Sequence, residues 1–516
     1  MIYPERIPGL RPDGGWDIPD RLNMAAQVLD GPPEGLAIID MTTGIRRDVT
    51  RGELRDMSQG LARYLLSRGV GRGDRIGVLL SQSPWCAACH IAIWSIGAVS
   101  VPLFKLFKHD ALASRVGNAG VSLVLTDEGG AELLGAPGDP LAEPVMAAEV
   151  AMAGAEVAIA DTGPEDPAVL IYTSGTTGSA KGALHGHRLL TGHLPGVSLS
   201  HDHLGQAGDV IWTPADWAWI GGLFDVLMPG LALGVPVVAD RMPKFDVDTA
   251  RALIAQTGIR NIFFPPTALR MLKAYHAVIP GLRSIASGGE PLGAEMLAWG
   301  REAFGLEINE FYGQTECNMT VTACGASYDA KPGCIGRPVP GHDVQVIDDA
   351  GNLTEGEGDI AVRRGSGSMF LGYWQNPDET AKKFRGDWML TGDRGIRDGD
   401  HLRFVGRDDD VITSAGYRIG PAEIEDCLLT HPAVATVGVV GKPDPVRTEI
   451  VKAYVVLKPG FSADAAELQA WVKDRLATYS YPREIAFLDA LPMTVTGKVI
   501  RKDLKARAMA ELETAQ

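Results

Sequence analysis

The run Tyr172-Thr-Ser-Gly-Thr-Thr-Gly-Ser-Ala-Lys-Gly182 constrains this chain more than any other segment. It sets hydroxyl and glycine residues around one lysine, Lys181, directly after Ala168-Val-Leu-Ile-Tyr172, an apolar stretch that reads as a buried strand. Glycines let backbone N–H groups close on an anion, and Ser and Thr hydroxyls add donors. Downstream, Arg188-Leu-Leu is expected to open a helix. A strand feeding a glycine-rich loop is where α/β proteins hold phosphates. The plain alternative is a flexible Ser/Gly linker, but linkers rarely frame a lysine with glycines right after an apolar strand. The spacing is not that of the Walker A loop: two residues separate Gly178 from Lys181, and Gly182 follows where that loop needs Ser or Thr.

A chain of 516 residues is too long for one hydrophobic core, so two or more domains are expected. The formal net charge of -16 argues against nucleic acid or an anionic membrane as partner, while leaving room for a local basic groove. The N-terminus has no charged stretch followed by an apolar run, and no segment reaches about eighteen uninterrupted apolar residues. The stretch from Gly222 to Ala239 comes closest, interrupted by Asp225 and Pro229. A cytoplasmic location is therefore expected. Six cysteines are too sparse for a disulfide scaffold. Cys86-Ala-Ala-Cys89-His90 spells the c-type haem attachment pattern, but Trp85 and Ile91-Ala-Ile-Trp-Ser-Ile around it read as a buried helix, so reduced core thiols are expected.

Strand and helix signals alternate over the first 160 residues. Thr50-Arg-Gly-Glu53 is a capping box opening a helix, Asp74–Leu80, Ala98–Pro102 and Ser122–Thr126 read as strands, and a helix is expected near Trp85 to Ile96. The pattern repeats between residues 208 and 320, with strands at Val237–Ala239, Asn261–Phe264 and Ser284–Ser287. Beyond residue 330, Val344–Ile347 and Gly358–Arg363 alternate like antiparallel strands. A charged break at Gly406-Arg-Asp-Asp-Asp410 precedes a domain-sized tail, with helices at Glu423–Leu429 and Ala465–Ala477 and strands at Ala433–Val440 and Lys452–Leu457. The fold class is α/β: a large N-terminal domain of packed α/β sheets plus a β-rich subdomain (1–405), a hinge (406–410) and a small mobile C-terminal α+β domain (411–516).

Further motifs follow in order: Ser287-Gly-Gly-Glu-Pro291, Glu310-Phe-Tyr-Gly-Gln-Thr-Glu316, Thr391-Gly-Asp393, Gly406-Arg407, Ser414-Ala-Gly-Tyr-Arg-Ile-Gly-Pro-Ala-Glu-Ile-Glu425, and Leu491-Pro-Met-Thr-Val-Thr-Gly-Lys498. Each short one, taken alone, reads equally as a capped loop or turn. Together, over about residues 40 to 505, the set resembles the adenylate-forming (AMP-binding) superfamily of acyl-CoA synthetases, luciferases and peptide-synthetase adenylation domains. One departure is Ala180, where the family's common form has proline. The resemblance implies a two-step reaction: a carboxylate attacks the α-phosphorus of ATP, giving acyl-AMP and pyrophosphate, and a thiol, usually that of coenzyme A, then displaces AMP. It implies ATP, Mg2+ and coenzyme A. By resemblance, Thr173, Ser174, Gly175, Thr176, Thr177, Gly178 and Lys181 hold the β- and γ-phosphates, and Glu316 with Thr176 holds the metal. Gly289, Glu290 and Pro291 pack against adenine, Glu310, Phe311, Tyr312, Gly313, Gln314 and Thr315 complete the ATP/AMP site, and Asp393 and Arg407 fix the ribose. The catalytic set is Lys498, at the α-phosphate, with Lys181 and Glu316; Asp409 is the pivot.

Gly416-Tyr-Arg418 and Pro443-Asp-Pro-Val-Arg447 resemble short- and medium-chain acyl-CoA synthetases, which implies coenzyme A contacts at Ser414, Gly416, Tyr417, Arg418 and Arg447. The plain alternative for Arg447 is a surface charge. A lysine often found near Tyr481-Pro-Arg483 is replaced by Ser480. The segment Trp212-Thr-Pro-Ala-Asp-Trp-Ala-Trp-Ile-Gly-Gly222 suits an apolar wall, with Trp219 lining the acyl pocket. Acetate-specific relatives carry tryptophan in the place of Gly313, so glycine there implies room for a longer acid, short- to medium-chain, with branched or aromatic acids as candidates. The expected protein is an acid–thiol ligase of fatty acid metabolism, a monomer or homodimer, with no nucleic acid or membrane partner. Two other readings are a stand-alone adenylating enzyme with another thiol acceptor and a catalytically silent nucleotide sensor; the intact Lys498, Glu316 and Asp393 argue against the second.

Overall fold

The computed structural model describes residues 7–135, 140–173, 181–242, 244–331, 333–407, 410–414, 417–444, 447–476, 480–494 and 498–514. The capping box is formed: Glu53 N–H donates to Thr50 Oγ1 at 3.1 Å, and Thr50 N–H donates to Glu53 Oε2 at 2.8 Å, starting the helix Arg51–Ser67. Every residue of the helix Pro84–Ser95 except Trp85 is buried. Cys86, Cys89 and His90 are therefore core residues; none of the six cysteines is in a disulfide, and burial pushes the His90 imidazole down to about 3.

Two sheets enclose this helix. One runs, in spatial order, Gly372–Tyr373, Lys181–Gly186, Pro167–Thr173, Val99–Pro102, Arg75–Leu79, Leu123–Thr126, Glu143–Met146. The other runs Arg337–Pro338, Cys317–Thr322, Ile308–Gln314, Ser284–Gly288, Asn261–Phe263, Ile211–Trp212, Val237–Ala239, Leu36–Asp40, Arg47–Thr50. Both are parallel at the centre, as near-continuous apolar strands covered on two faces should be, and both gain antiparallel strands at their edges. One continuous core joins them through the buried helix: Val78, Leu125 and Val169 from one sheet, Trp94 and Cys89 from the helix, Ile38, Val237 and Phe263 from the other.

The strand expected before the loop and the helix expected at Arg188 are both present, but another strand stands between them. Lys181–Gly186 is itself a strand, antiparallel to Pro167–Thr173 with Thr173 opposite Lys181, and the helix Arg188–Ser200 starts only after it. The glycine-rich loop thus joins two strands of a hairpin and does not sit at a helix N-terminus. Gly182 permits this pairing: a Cβ there would meet Leu170 Cδ1 at 2.8 Å and the Tyr172 ring at 3.2 Å.

A third, antiparallel sheet contains Val344–Ile347, Gly358–Arg363, Trp388–Asp398, Phe384–Arg385 and His401–Arg407. Thr391-Gly-Asp393 lies inside its eleven-residue strand, Trp388–Asp398. From Ile412 onward, strands pair only among themselves in the described residues: Tyr417–Ile419, Ile412–Ser414, Thr448–Leu457 and Val434–Asp444 antiparallel, with Glu484–Phe487 parallel to Thr448–Leu457. The helices Pro421–Leu429 and Ala465–Lys473 cover this sheet through Ile424, Leu428, Leu468 and Val472. No helix among the described residues is long and apolar enough to cross a membrane.

Candidate functional site

Lys181 begins the second strand of the hairpin, and its ammonium meets Glu379 Oε2 at 2.5 Å. Glu379 belongs to the helix Pro377–Lys382, capped by Asn376. Bonds from Lys181 and Lys382 hold its carboxyl down to about 2. The Lys181 ammonium also lies 5.5 Å from the ring centroid of Tyr373, whose phenol donates to the buried carboxylate of Glu316. A cation, a phenol and a carboxylate thereby lie together at the start of the strand Lys181–Gly186. Ser174, Gly175, Thr176, Thr177 and Gly178 lie outside the described residues, as does the side chain of Thr173.

A second group forms where the antiparallel sheet meets the strand Ile308–Gln314. Asp393 and Arg407 are register partners on adjacent strands. The Tyr312 phenol donates to Asp393 Oδ2 at 2.5 Å, and the Asp393 N–H donates to Thr391 Oγ1 at 3.2 Å. Burial raises the Asp393 carboxyl, while Arg407, the Tyr312 bond, Lys383 and Lys498 pull it back. A carboxylate held this way beside a guanidinium can accept hydrogen bonds from a diol. Gln314 Nε2 donates to Thr391 O at 3.1 Å, and Lys383 Nζ donates to Gln314 Oε1 at 2.8 Å.

Gly289 is the meeting point of the third group. Its φ of +97° lies in the left-handed region, and a side chain there would begin 3.5 Å from Trp219 Cη2 and 3.8 Å from Lys498 Cε. Thr494 N–H donates to Lys498 O at 2.7 Å, and Lys498 N–H donates to Thr494 Oγ1 at 3.0 Å. Its ammonium is pushed down by burial and held up by Glu290 and Asp393. Glu290 also accepts from both Arg270 Nη atoms at 3.2 Å. The last hundred residues thus deliver one lysine into a cleft lined by the first four hundred. Of the three tryptophans in the segment 212–222, Trp212 and Trp217 are fully buried core residues, and only Trp219 is part-exposed, its ring 5.9 Å from that of Phe263.

The surroundings of the other expected site residues differ. Glu310 is buried, accepts from Leu292 N–H at 3.3 Å, and is pushed up to about 8 by burial. Phe311 is packed under Gly288, where a Cβ would meet its ring at 2.5 Å. Gly313 opens onto no slot on its Cβ side, because a Cβ would fall 2.5 Å from Asn318 Oδ1 and 2.6 Å from Met319 N. The expectation that Gly313 marks free depth in the acyl pocket is corrected accordingly: a tryptophan cannot be accommodated there on this backbone. Pro291 and Thr315 are half-buried beside Glu290 and Glu316. Ser414 is buried on the strand Ile412–Ser414. Arg447 N–H donates to Asp444 Oδ1 at 2.8 Å. Asp409, Gly416 and the side chains of Tyr417 and Arg418 lie outside the described residues.

Sequence reasoning missed Tyr373, Glu379, Lys383 and Arg270. Asn376-Pro377 carries a helix-start signal, which locates the helix bearing Glu379, but nothing local marks Lys383 as a site residue. Among the described residues no three His, Cys, Asp or Glu side chains cluster to hold a metal. A single buried carboxylate, Glu316, suits an ion whose remaining ligands come from substrate phosphates and water.

Residues 25–374 match the family described as AMP-binding enzyme, and residues 423–498 match the AMP-binding enzyme C-terminal domain. The mitochondrial acyl-coenzyme A synthetase ACSM2B of Homo sapiens is 41% identical over 362 residues, 67% of this chain and 62% of that relative's length. The mitochondrial acyl-coenzyme A synthetase ACSM2 of Rattus norvegicus is 36% identical over 493 residues, 88% of this chain and 84% of the relative. Among solved structures, an anthranilate CoA ligase, AuaEII, in complex with anthranoyl-AMP superposes with a TM-score of 0.86 at 25% identity, over 97% of this chain and 99% of that one.

Proposed function

This chain belongs to the AMP-binding enzymes, as an AMP-forming acyl-coenzyme A synthetase, and we propose that the convergence of Lys498, Trp219, Gly289 and Asp393 is its adenylation site, drawn together in the conformation that makes acyl-AMP. The observation that carries this reading is the position of Lys498 beside Gly289 and within the field of Asp393.

The chemistry follows from charge. A carboxylate oxygen attacks the α-phosphorus, the bond to the β-phosphate oxygen breaks, and pyrophosphate leaves. Both reactants are anions, so the site must neutralise charge that builds on the α-phosphate. Lys498 does this from a part-buried position, where the interaction is stronger than in bulk water. Lys181, with the loop from Thr173 to Gly178, takes the β- and γ-phosphates; Glu379 then gives up its partner to them. Asp393, oriented by Tyr312 and flanked by Arg407, accepts from the ribose hydroxyls. Gly289, Glu290 and Pro291 border the adenine. Glu316, with Thr176, would hold magnesium, which when bound offsets phosphate charge. In the second step the coenzyme A sulfur attacks the acyl carbon and AMP leaves. For this the 411–516 unit turns about Asp409 and brings Ser414 to Arg418 and Arg447 to the coenzyme. Trp219 walls the acid, a short- to medium-chain carboxylic acid. A cytoplasmic setting and a place in fatty acid metabolism belong to the same proposal.

The test is pyrophosphate release with a panel of carboxylic acids, with and without coenzyme A. Release that needs the acid, followed by thioester and AMP only when coenzyme A is present, is the expected result. Adenylation without any thioester would redirect the proposal to another acceptor.

A further inference from the structure

Lys383 Nζ spends its donors on three neutral acceptors: Gln314 Oε1 at 2.8 Å, Leu390 O at 3.2 Å and Thr391 O at 3.3 Å. Gln314 Nε2 donates to the same Thr391 carbonyl at 3.1 Å, closing a triangle. The triangle joins two strands, Ile308–Gln314 and Trp388–Asp398, that belong to different sheets and do not pair with each other. Asp393 is two residues past Thr391, across Gly392 at φ +79°, so its aim depends on how Thr391 is held. Thr391 Oγ1 in turn donates to Ile360 O at 2.7 Å and accepts from Asp393 N–H. Electrostatically, Lys383 stands between the carboxylates of Glu316 and Asp393 and the cations Arg407 and Lys181. An ammonium with only neutral hydrogen-bond partners in a part-buried place is costly unless nearby carboxylates need its charge. A merely space-filling position would be met more cheaply by an apolar side chain.

We propose that Lys383 is a positioning residue for nucleotide recognition: it locks the Gln314 carboxamide and the Thr391 carbonyl together so that Asp393 presents its carboxylate to the ribose. The inference rests on the reading that Asp393 meets the ribose. It adds a residue outside every motif that pointed to the site. The segment is economical, because the helix just before it carries Glu379 to Lys181, so residues 379 to 383 reach both the phosphate side and the ribose side.

The experiment compares the full-length wild type with Lys383→Met, Lys383→Gln, Lys383→Arg and Asp393→Asn. Acyl-AMP formation is measured with ATP, 2′-deoxy-ATP and 3′-deoxy-ATP, together with the KM for coenzyme A and the melting temperature. Lys383→Met is expected to lose about tenfold of the preference for ATP over the deoxy analogues, as one charge-assisted bond would predict. The KM for coenzyme A stays unchanged, and Lys383→Arg recovers part of the preference. Lys383→Gln carries the same test if the methionine variant does not fold. Intact ribose preference in the Lys383 variants, with Asp393→Asn having lost it, overturns the positioning role alone. A general rise in every KM with a lower melting temperature overturns it too, leaving a scaffold residue. Intact preference in Asp393→Asn overturns the ribose assignment and this inference with it.

Discussion

A carboxylate oxygen of Asp426 lies 2.8 Å from the point where a side chain on Gly293 would begin, which sets the helix Pro421–Leu429 directly on the start of the helix Gly293–Phe304. The seam is acidic. Burial pushes Asp426 up to about 7, with Glu425, Glu295 and Glu423 adding to the rise and Arg270 opposing it. Across the seam, burial pushes Glu310 up to about 8; the Leu292 N–H opposes this and Asp426 adds to it. These acids fold with pKa values above their ordinary ones near 4, so they favour the folded, docked form while protonated. That contribution is fully present below about pH 4 and is lost as pH rises through about 7 and 8. Thermal stability of the wild type is expected to fall across this window more steeply than that of Asp426→Asn or Glu310→Gln. Superimposable pH profiles for the three proteins would remove the seam from consideration.

Lys498 belongs to the same C-terminal unit as Asp426. Lys498→Ala is expected to abolish acyl-AMP formation while leaving thioester formation from supplied acyl-AMP largely intact. Loss of one well-placed charge contact costs about 3–4 kcal/mol of transition-state stabilisation, or roughly two to three decades in rate. Equal losses in the two half-reactions would show that the two units do not alternate.

The parts of the molecule legible in the sequence are those fixed by local physics. The capping box at Thr50, the apolar strand before the loop, and the strands Val237–Ala239, Val344–Ile347 and Gly358–Arg363 appear where periodicity placed them. The hairpin after Tyr172 was not legible, because Lys181-Gly-Ala-Leu-His-Gly186 is short and its strand character comes from pairing with its neighbour. Nor was Lys383: a lysine after Glu379-Thr-Ala-Lys382 reads as a solvated helix face, and only the meeting of two sheets puts it in the site. Gly313 shows the opposite failure, since resemblance assigned it space that Asn318 and Met319 already fill.

Arg447 precedes Thr448, whose φ of +72° places a β-branched residue in the left-handed region. Such a conformation costs about 1–2 kcal/mol, and glycine would relieve it at some expense in chain entropy. Thr448→Gly is therefore expected to stabilise the protein by about 0.5–1 kcal/mol in denaturant unfolding. A loss of stability would mean that the Thr448 side chain makes up the strain through contacts of its own.

Arg447→Ala tests the coenzyme site separately. It should raise the KM for coenzyme A by an amount equivalent to about 1.5–3 kcal/mol, the range for a charge-assisted bond to phosphate, and leave adenylation unchanged. Wild-type coenzyme A kinetics in this variant would make Arg447 a surface charge.

The acid specificity turns on Trp219, whose indole is wedged between two glycines. A Cβ at Gly221 would fall 2.8 Å from Trp219 Cζ3, and one at Gly289 would fall 3.5 Å from Cη2. Behind the ring, Phe263 and Phe311 meet at a tilt of 59°, with centroids 5.1 Å apart. This is an apolar wall with no spare volume on the Gly221 side. Gly313→Trp is thus expected to fold poorly and not to retune the pocket. Gly221→Ala is the better probe: its methyl must push the indole toward Gly289 and shorten the space left for the acid. Each buried methylene is worth about 0.8 kcal/mol, so an apolar slot favours longer acids severalfold per carbon until it is full. The wild type should accordingly use short- to medium-chain acids well and acetate poorly. Gly221→Ala should shift the optimum toward shorter acids, and Trp219→Ala toward bulkier ones. Measuring kcat/KM from acetate to octanoate on the three proteins decides the matter. A wild-type optimum at acetate, or one profile shared by all three, would remove Trp219 from the acyl pocket.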